Sequence, residues 1–274
     1  VGSPPDIASR GTEALRWWNE QQASSYRQRA LQATNNQPEY GSRIAQRTAE
    51  NVLLLHLNYS QSQKRDLFIG TVQYGLDNYG RILAGGDWAA DGGHNHGRKL
   101  PVVLAGLALN DQNILATVAG GEMNFQEDQS TFYVSQGDID RRSCNSRDPN
   151  TTSGNSCGTT GSVLYQQSDL GMPEWGRQHL HYGCTYDCRT WDIPYRYVGN
   201  QYVGAALAAR LFAGGEAAWD WPPFFGYVDR HRSNGDTAGA WGVTAFVDAM
   251  WRAYKDFRPG DRESPPRPPD VSIQ

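Results

Sequence analysis

No run of about 18 apolar residues occurs in the 274-residue chain, so the sequence offers no helical membrane span. Excess positive charge is also missing. The 25 Lys and Arg against 29 Asp and Glu leave a formal net charge of −4, which argues against a general nucleic-acid binder. A local basic cleft on such a chain remains compatible with an acidic ligand. The Gly-x4-Gly-Lys-Ser/Thr spacing of a phosphate-binding loop is absent, as are an internal repeat and a clear domain linker. Cysteine is scarce and concentrated: Cys144, Cys157, Cys184 and Cys188 are the only four. An even number in a polar, Gly- and Ser-rich stretch suggests two disulfides, most simply Cys144–Cys157 and Cys184–Cys188, although four cysteines allow three pairings. Their spacing matches no common zinc knuckle.

Aromatics, by contrast, are plentiful, with nine Trp and 14 Tyr. Such rings pack cores and also form platforms for sugar rings. The chain begins at Val1 rather than Met, which suggests a processed terminus. Together with the cysteines and the sequons at Asn58 and Asn150, this predicts a secreted or extracytoplasmic protein, glycosylation being compatible with it.

The pattern along residues 1–274 predicts one mainly helical domain. Helices are expected near 8–34, from Ser42 to Leu57, and over 61–84 with Val72, Leu76, Tyr79 and Leu83 on one face. A further helix is expected from Pro101, a short one near 111–119, and others near 199–213, 222–232 and 243–257. Residues 120–195 read as a loop-rich, disulfide-pinned insertion with short strands such as Thr131–Ser135, and the Pro-rich end from 258 to 274 as an irregular tail.

Four segments could carry chemistry. The Gly-rich stretch 85–99 crowds His94, His96, Arg98 and Lys99 together after Trp88, as an anion-recognising or catalytic loop would. His94 and His96 could ligate a metal, but no third ligand is evident nearby, so no metal and no cofactor is expected. The stretch from Pro173 to His181 sets Glu174, Trp175 and His179 close together, a composition suited to a sugar site. Tyr195 and Arg196 precede a helix start, and Tyr202 follows within it; Arg196 could grip a carboxylate with both arms. Glu127 and Asp128 sit among aromatics and could orient a histidine or hold a cation. Each segment also reads blandly, as a helix-start loop, a capping turn or a solvated pair of acids.

The strings Gln73-Tyr74-Gly75-Leu76-Asp77 and Gly92-Gly93-His94-Asn95-His96-Gly97-Arg98-Lys99-Leu100-Pro101 resemble bacterial polysaccharide lyases of the (α/α)-barrel type, of the glucuronan and alginate lyase kind. Glu174-Trp175-Gly176 with His179, the Tyr195-Arg196 pair, Val203 through Arg210, and Phe246-Val247 with Met250-Trp251 are similar in kind and order, so the resemblance spans about residues 45 to 255. It implies antiparallel helical hairpins in a partial (α/α) toroid, because about eight helices fall short of a closed barrel's roughly 12 to 14. It further implies cleavage of a uronic-acid polysaccharide by β-elimination. Tyr202 would be base or acid, Arg196 would neutralise the carboxylate, and His179 would be the second proton-transfer group. His94, His96, Arg98, Lys99, Trp88, Trp175, Glu174 and Tyr195 would bind the acidic polysaccharide. Two other readings stand beside it: a glycoside hydrolase using Glu127, Asp128 or Glu174, and a non-catalytic extracellular carbohydrate-binding or structural protein.

Overall fold

A computed structural model describes residues 3–16, 40–90, 93–140, 167–175, 199–233 and 242–259. The four cysteines, His179, Tyr195 and Arg196 lie outside the described residues.

The protein is mainly helical. In chain order the helices are α1 (Ile7–Ala14), α2 (Gly41–Leu55), α3 (Gln61–Leu83), α4 (Lys99–Leu109), α5 (Gln112–Ala116), α6 (Gln126–Ser130), α7 (Gln136–Asp140), α8 (Gly199–Arg210), α9 (Gly215–Trp219), α10 (Pro222–Ser233) and α11 (Ala245–Tyr254). Two short strands, β1 (Thr131–Tyr133) and β2 (Pro173–Trp175), pair antiparallel with Phe132 opposite Glu174. No helix among the described residues is long and apolar enough to cross a membrane.

Local chemistry sets the helix ends. Asp6 caps α1 by accepting from the Ser9 N–H, and Ser60 with Gln63 forms a reciprocal capping box that starts α3. Asn110 ends α4 in the left-handed region at φ 51°, and Asp111 immediately caps α5. The helix expected from Pro101 in fact begins at Lys99, which leaves Pro101 in its first turn, where its missing N–H costs nothing. Within the expected loop-rich region the described residues hold α6, α7 and the two-stranded ribbon.

The central element is α8. Every one of its residues, Gly199 through Arg210, is buried. Helices α2, α9, α10 and α11 pack around it, and its small alanines permit close approach. A second unit is the α3–α4 hairpin, with α1 laid against α3. Here the expected α3 face is corrected: Leu83 is 67% exposed, and Leu76 and Tyr79 are only half-buried. The buried face instead runs through Leu67, Thr71, Gly75 and Asn78. Gly75 explains the shift, because a Cβ on it would lie 2.1 Å from the Pro101 carbonyl oxygen. The helices touch backbone to backbone on a face that apolar periodicity does not mark.

Candidate functional site

The Gly-rich loop between α3 and α4 is folded down onto the start of α2. Ser42 N donates to Gly93 O at 2.8 Å, and Thr48 Oγ1 donates to Gly97 O at 3.2 Å. Gly97 has φ +93°, and a Cβ there would fall 2.4 Å from the Ala45 nitrogen, so both conformation and space require glycine. From the other side α6 grips the same loop: Gln126 Oε1 accepts from Asn95 N at 2.9 Å, and Glu127 Oε1 accepts from Gly97 N at 2.8 Å.

This clamp drives His96 into the interior, where it is 0% exposed. Its Nε2 shares a 3.0 Å hydrogen bond with Ser42 Oγ, and its Nδ1 shares one of 3.3 Å with the Tyr202 hydroxyl. The two rings meet edge to face at 5.3 Å. Trp175 Nε1, from β2, donates to the same hydroxyl at 3.3 Å. Three of the residues singled out in the sequence, His96, Trp175 and Tyr202, thus converge on one oxygen atom from a loop, a strand and the central helix.

Electrostatics separates the two titratable members. Burial, helped by the Arg98 charge, lowers His96 to about 3, so its imidazole is neutral across the physiological range. Burial and the nearby Glu127 charge push Tyr202 well above the ordinary phenol value. A neutral imidazole hydrogen-bonded to a phenol that keeps its proton is a contact across which a proton can pass. The Tyr202 phenol therefore keeps its proton at neutral pH.

Beside this pair lies a second polar cluster. Lys99 Nζ and Asp128 Oδ2 form an ion pair of 2.5 Å with both side chains fully buried. The ammonium also lies 5.0 Å from the Trp219 ring centre. Burial raises Asp128 to about 7 and lowers Lys99, each shift held back by the partner's charge. Burial raises Glu127 as well. Glu127 Oε2 and Asp128 Oδ1 are buried without a hydrogen-bond partner among the described residues. Asp128 also reaches a cleft of about 590 Å³ whose walls include Phe132, Tyr133, Trp221 and Met123.

The remaining expected binders are turned inward. Arg98 Nη1 donates to the carbonyls of His94 and His96 at 3.1 and 2.8 Å, bracing its own loop. Trp88, 3% exposed, stacks on Phe125 at 5.4 Å with the Arg81 guanidinium 4.8 Å from its ring centre. Glu174 is fully buried, accepting from Trp175 N at 2.9 Å and pairing with Arg230 at 3.2 Å. His96, Arg98, Lys99, Trp88, Trp175 and Glu174, which the resemblance casts as binders of the acidic polysaccharide, are instead all buried. These groups build the interior, and among the described binders only His94 stays half-buried, edge-on to Tyr40 at 5.0 Å.

Ser42 and the Lys99–Asp128 pairing were not foreseen. Ser42 carries no sequence signal beyond its place at a helix start. No three His, Cys, Asp or Glu side chains converge as a metal site among the described residues. No family model, no curated protein and no solved structure matches the chain.

Proposed function

We propose that this protein is a secreted polysaccharide lyase that cleaves a uronic-acid polymer of the glucuronan or alginate type by β-elimination. The observation that supports the reading best is the His96–Tyr202 contact at 3.3 Å, with the imidazole neutral and the phenol protonated. His96 takes the C5 proton. The C5–H electron pair forms the C4–C5 double bond as the C4–O bond breaks. Tyr202 gives its proton to the departing oxygen, and the imidazolium returns one to the phenolate across the same contact. Arg196 supplies the charge that stabilises the carboxylate-enolate and Tyr195 a sugar contact, in the roles the family resemblance implies, while His96 takes the second proton-transfer role that the resemblance gives His179. Because His96 and Tyr202 are interior, polymer binding must open the chain onto them. The partial (α/α) toroid belongs to the same proposal, with the α3–α4 hairpin as its support.

Asp128 favours a second reading, a glycoside hydrolase. A carboxyl raised to about 7, buried at a residue that lines an aromatic-walled cleft, suits a general acid once the cleft opens onto it, with Glu127 as the neighbouring carboxylate. One experiment separates the two. Incubation with glucuronan, alginate, pectate and glycosaminoglycans is followed both by ultraviolet absorbance of the new double bond and by reducing ends. Absorbance growing with the reducing ends supports the lyase; reducing ends without absorbance mark the hydrolase, and neither signal marks a binding protein.

A further inference from the structure

We propose that a second binding site, at the opposite end of α2, takes a small amphipathic anion: a carboxylate carried on an alkyl or aryl body. Ser42 stands in the first turn of α2 and His56 caps its end, which at 1.5 Å rise per residue puts the two sites about 21 Å apart. A cleft of about 710 Å³ opens there, bounded by the end of α2, the first turns of α3, α4 and the chain just after α8. That volume is in the range of small-ligand sites.

The walls of the cleft are apolar. Leu55, Leu104 and Phe212 line it, together with Phe68, whose ring is left 41% exposed. Its rim is cationic, formed by Lys64 and Arg65. Neither cation makes an ion pair with a described residue. Several described arginines do find acids: Arg10 with Glu50, Arg210 with Asp229 and Arg232 with Asp248. On a chain of net charge −4, Lys64 and Arg65 are adjacent cations without a described counter-charge. His56 adds a third group. Its ring tilts onto Phe212 at 4.6 Å, and its Nε2 is buried without a hydrogen-bond partner among the described residues. Burial and the Lys64 charge hold it neutral, at about 4. An anion between Lys64 and His56 would supply what both groups lack, and a hydrocarbon body would cover Phe68 and the leucines. A bare inorganic anion would leave those walls wet, and an uncharged hydrocarbon would leave the cations unmatched. The site is independent of the lyase reading.

Calorimetric titration of the folded chain with decanoate, below its micellar concentration, tests this, with decanol as the uncharged comparator. Saturable one-to-one binding of decanoate is expected. It should weaken at least about tenfold for decanol and for Lys64→Ala/Arg65→Ala. Neither replaced side chain makes a described ion pair, so the variant's thermal midpoint should match the wild type. Absence of saturable binding, equal affinity for acid and alcohol, or undiminished binding by the double variant would each overturn the proposal.

Discussion

Lys99 and Asp128 show how one contact governs a region. With both side chains at 0% exposure, removing one partner strands the other's charge in the interior. Lys99→Met is expected to cost about 3–5 kcal/mol in urea denaturation. Adding Asp128→Leu should recover much of that loss, because an apolar pair needs no counter-charge; a double variant no more stable than the single would show the two sites uncoupled. Tyr202→Phe removes the hydroxyl that receives the Trp175 N–H and contacts His96. It should lower stability by about 1–3 kcal/mol while leaving the chain folded. His96, Trp175 and Tyr202 were legible as chemistry-bearing residues from their neighbours in sequence. Their convergence was not, because it joins positions 106 and 27 residues apart. The burial of Lys99 was not legible for the same reason: the acid that permits it lies 29 residues later.

At the scale of elements, α3 shows what pattern reading finds and what it misses. Its extent was legible, since the capping box and the long amphipathic run mark both ends. Its buried face was not, because contact there depends on glycine and threonine rather than on large apolar side chains. Two substitutions in this one helix should therefore have opposite signs. At Gly80 a Cβ meets nothing within 4 Å, so Gly80→Ala is expected to stabilise by about 0.5–1 kcal/mol. At Gly75 the Cβ meets the Pro101 carbonyl, so Gly75→Ala should destabilise by about 1–3 kcal/mol. Thermal unfolding of the pair checks both signs; equal shifts would contradict the close helix contact. The short helices α6 and α9 escaped the sequence reading because five residues hold too little periodicity to mark them.

Across the whole molecule, the buried histidines set the response to acid. Burial holds His96 at about 3 and His56 at about 4, against an ordinary 6.5. Between those values the unfolded chain binds protons that the folded chain refuses, so this contribution to stability falls as pH falls from 6.5 towards 4. Asp128 and Glu127 act in the opposite sense, since their raised values let the folded chain hold protons more tightly. Replacing His56 by Gln removes one group of the first kind. Its urea midpoint should decline less steeply than the wild type's between pH 6.5 and about 4; parallel profiles would mean that His56 takes up its proton at the same pH in the folded and unfolded chain. The mainly helical class was legible from composition and periodicity, whereas the enclosure of α8 by the helices around it depends on packing that spacing alone does not reveal.

The most direct test of the central claim is double-bond absorbance on uronate polymers, followed side by side for the wild type and Tyr202→Phe, each first shown to be folded. The wild type should generate absorbance on at least one polymer, and the variant should run slower by about 10²–10⁴-fold. No absorbance from the wild type on any uronate polymer, or a variant that keeps pace with it, would contradict the account.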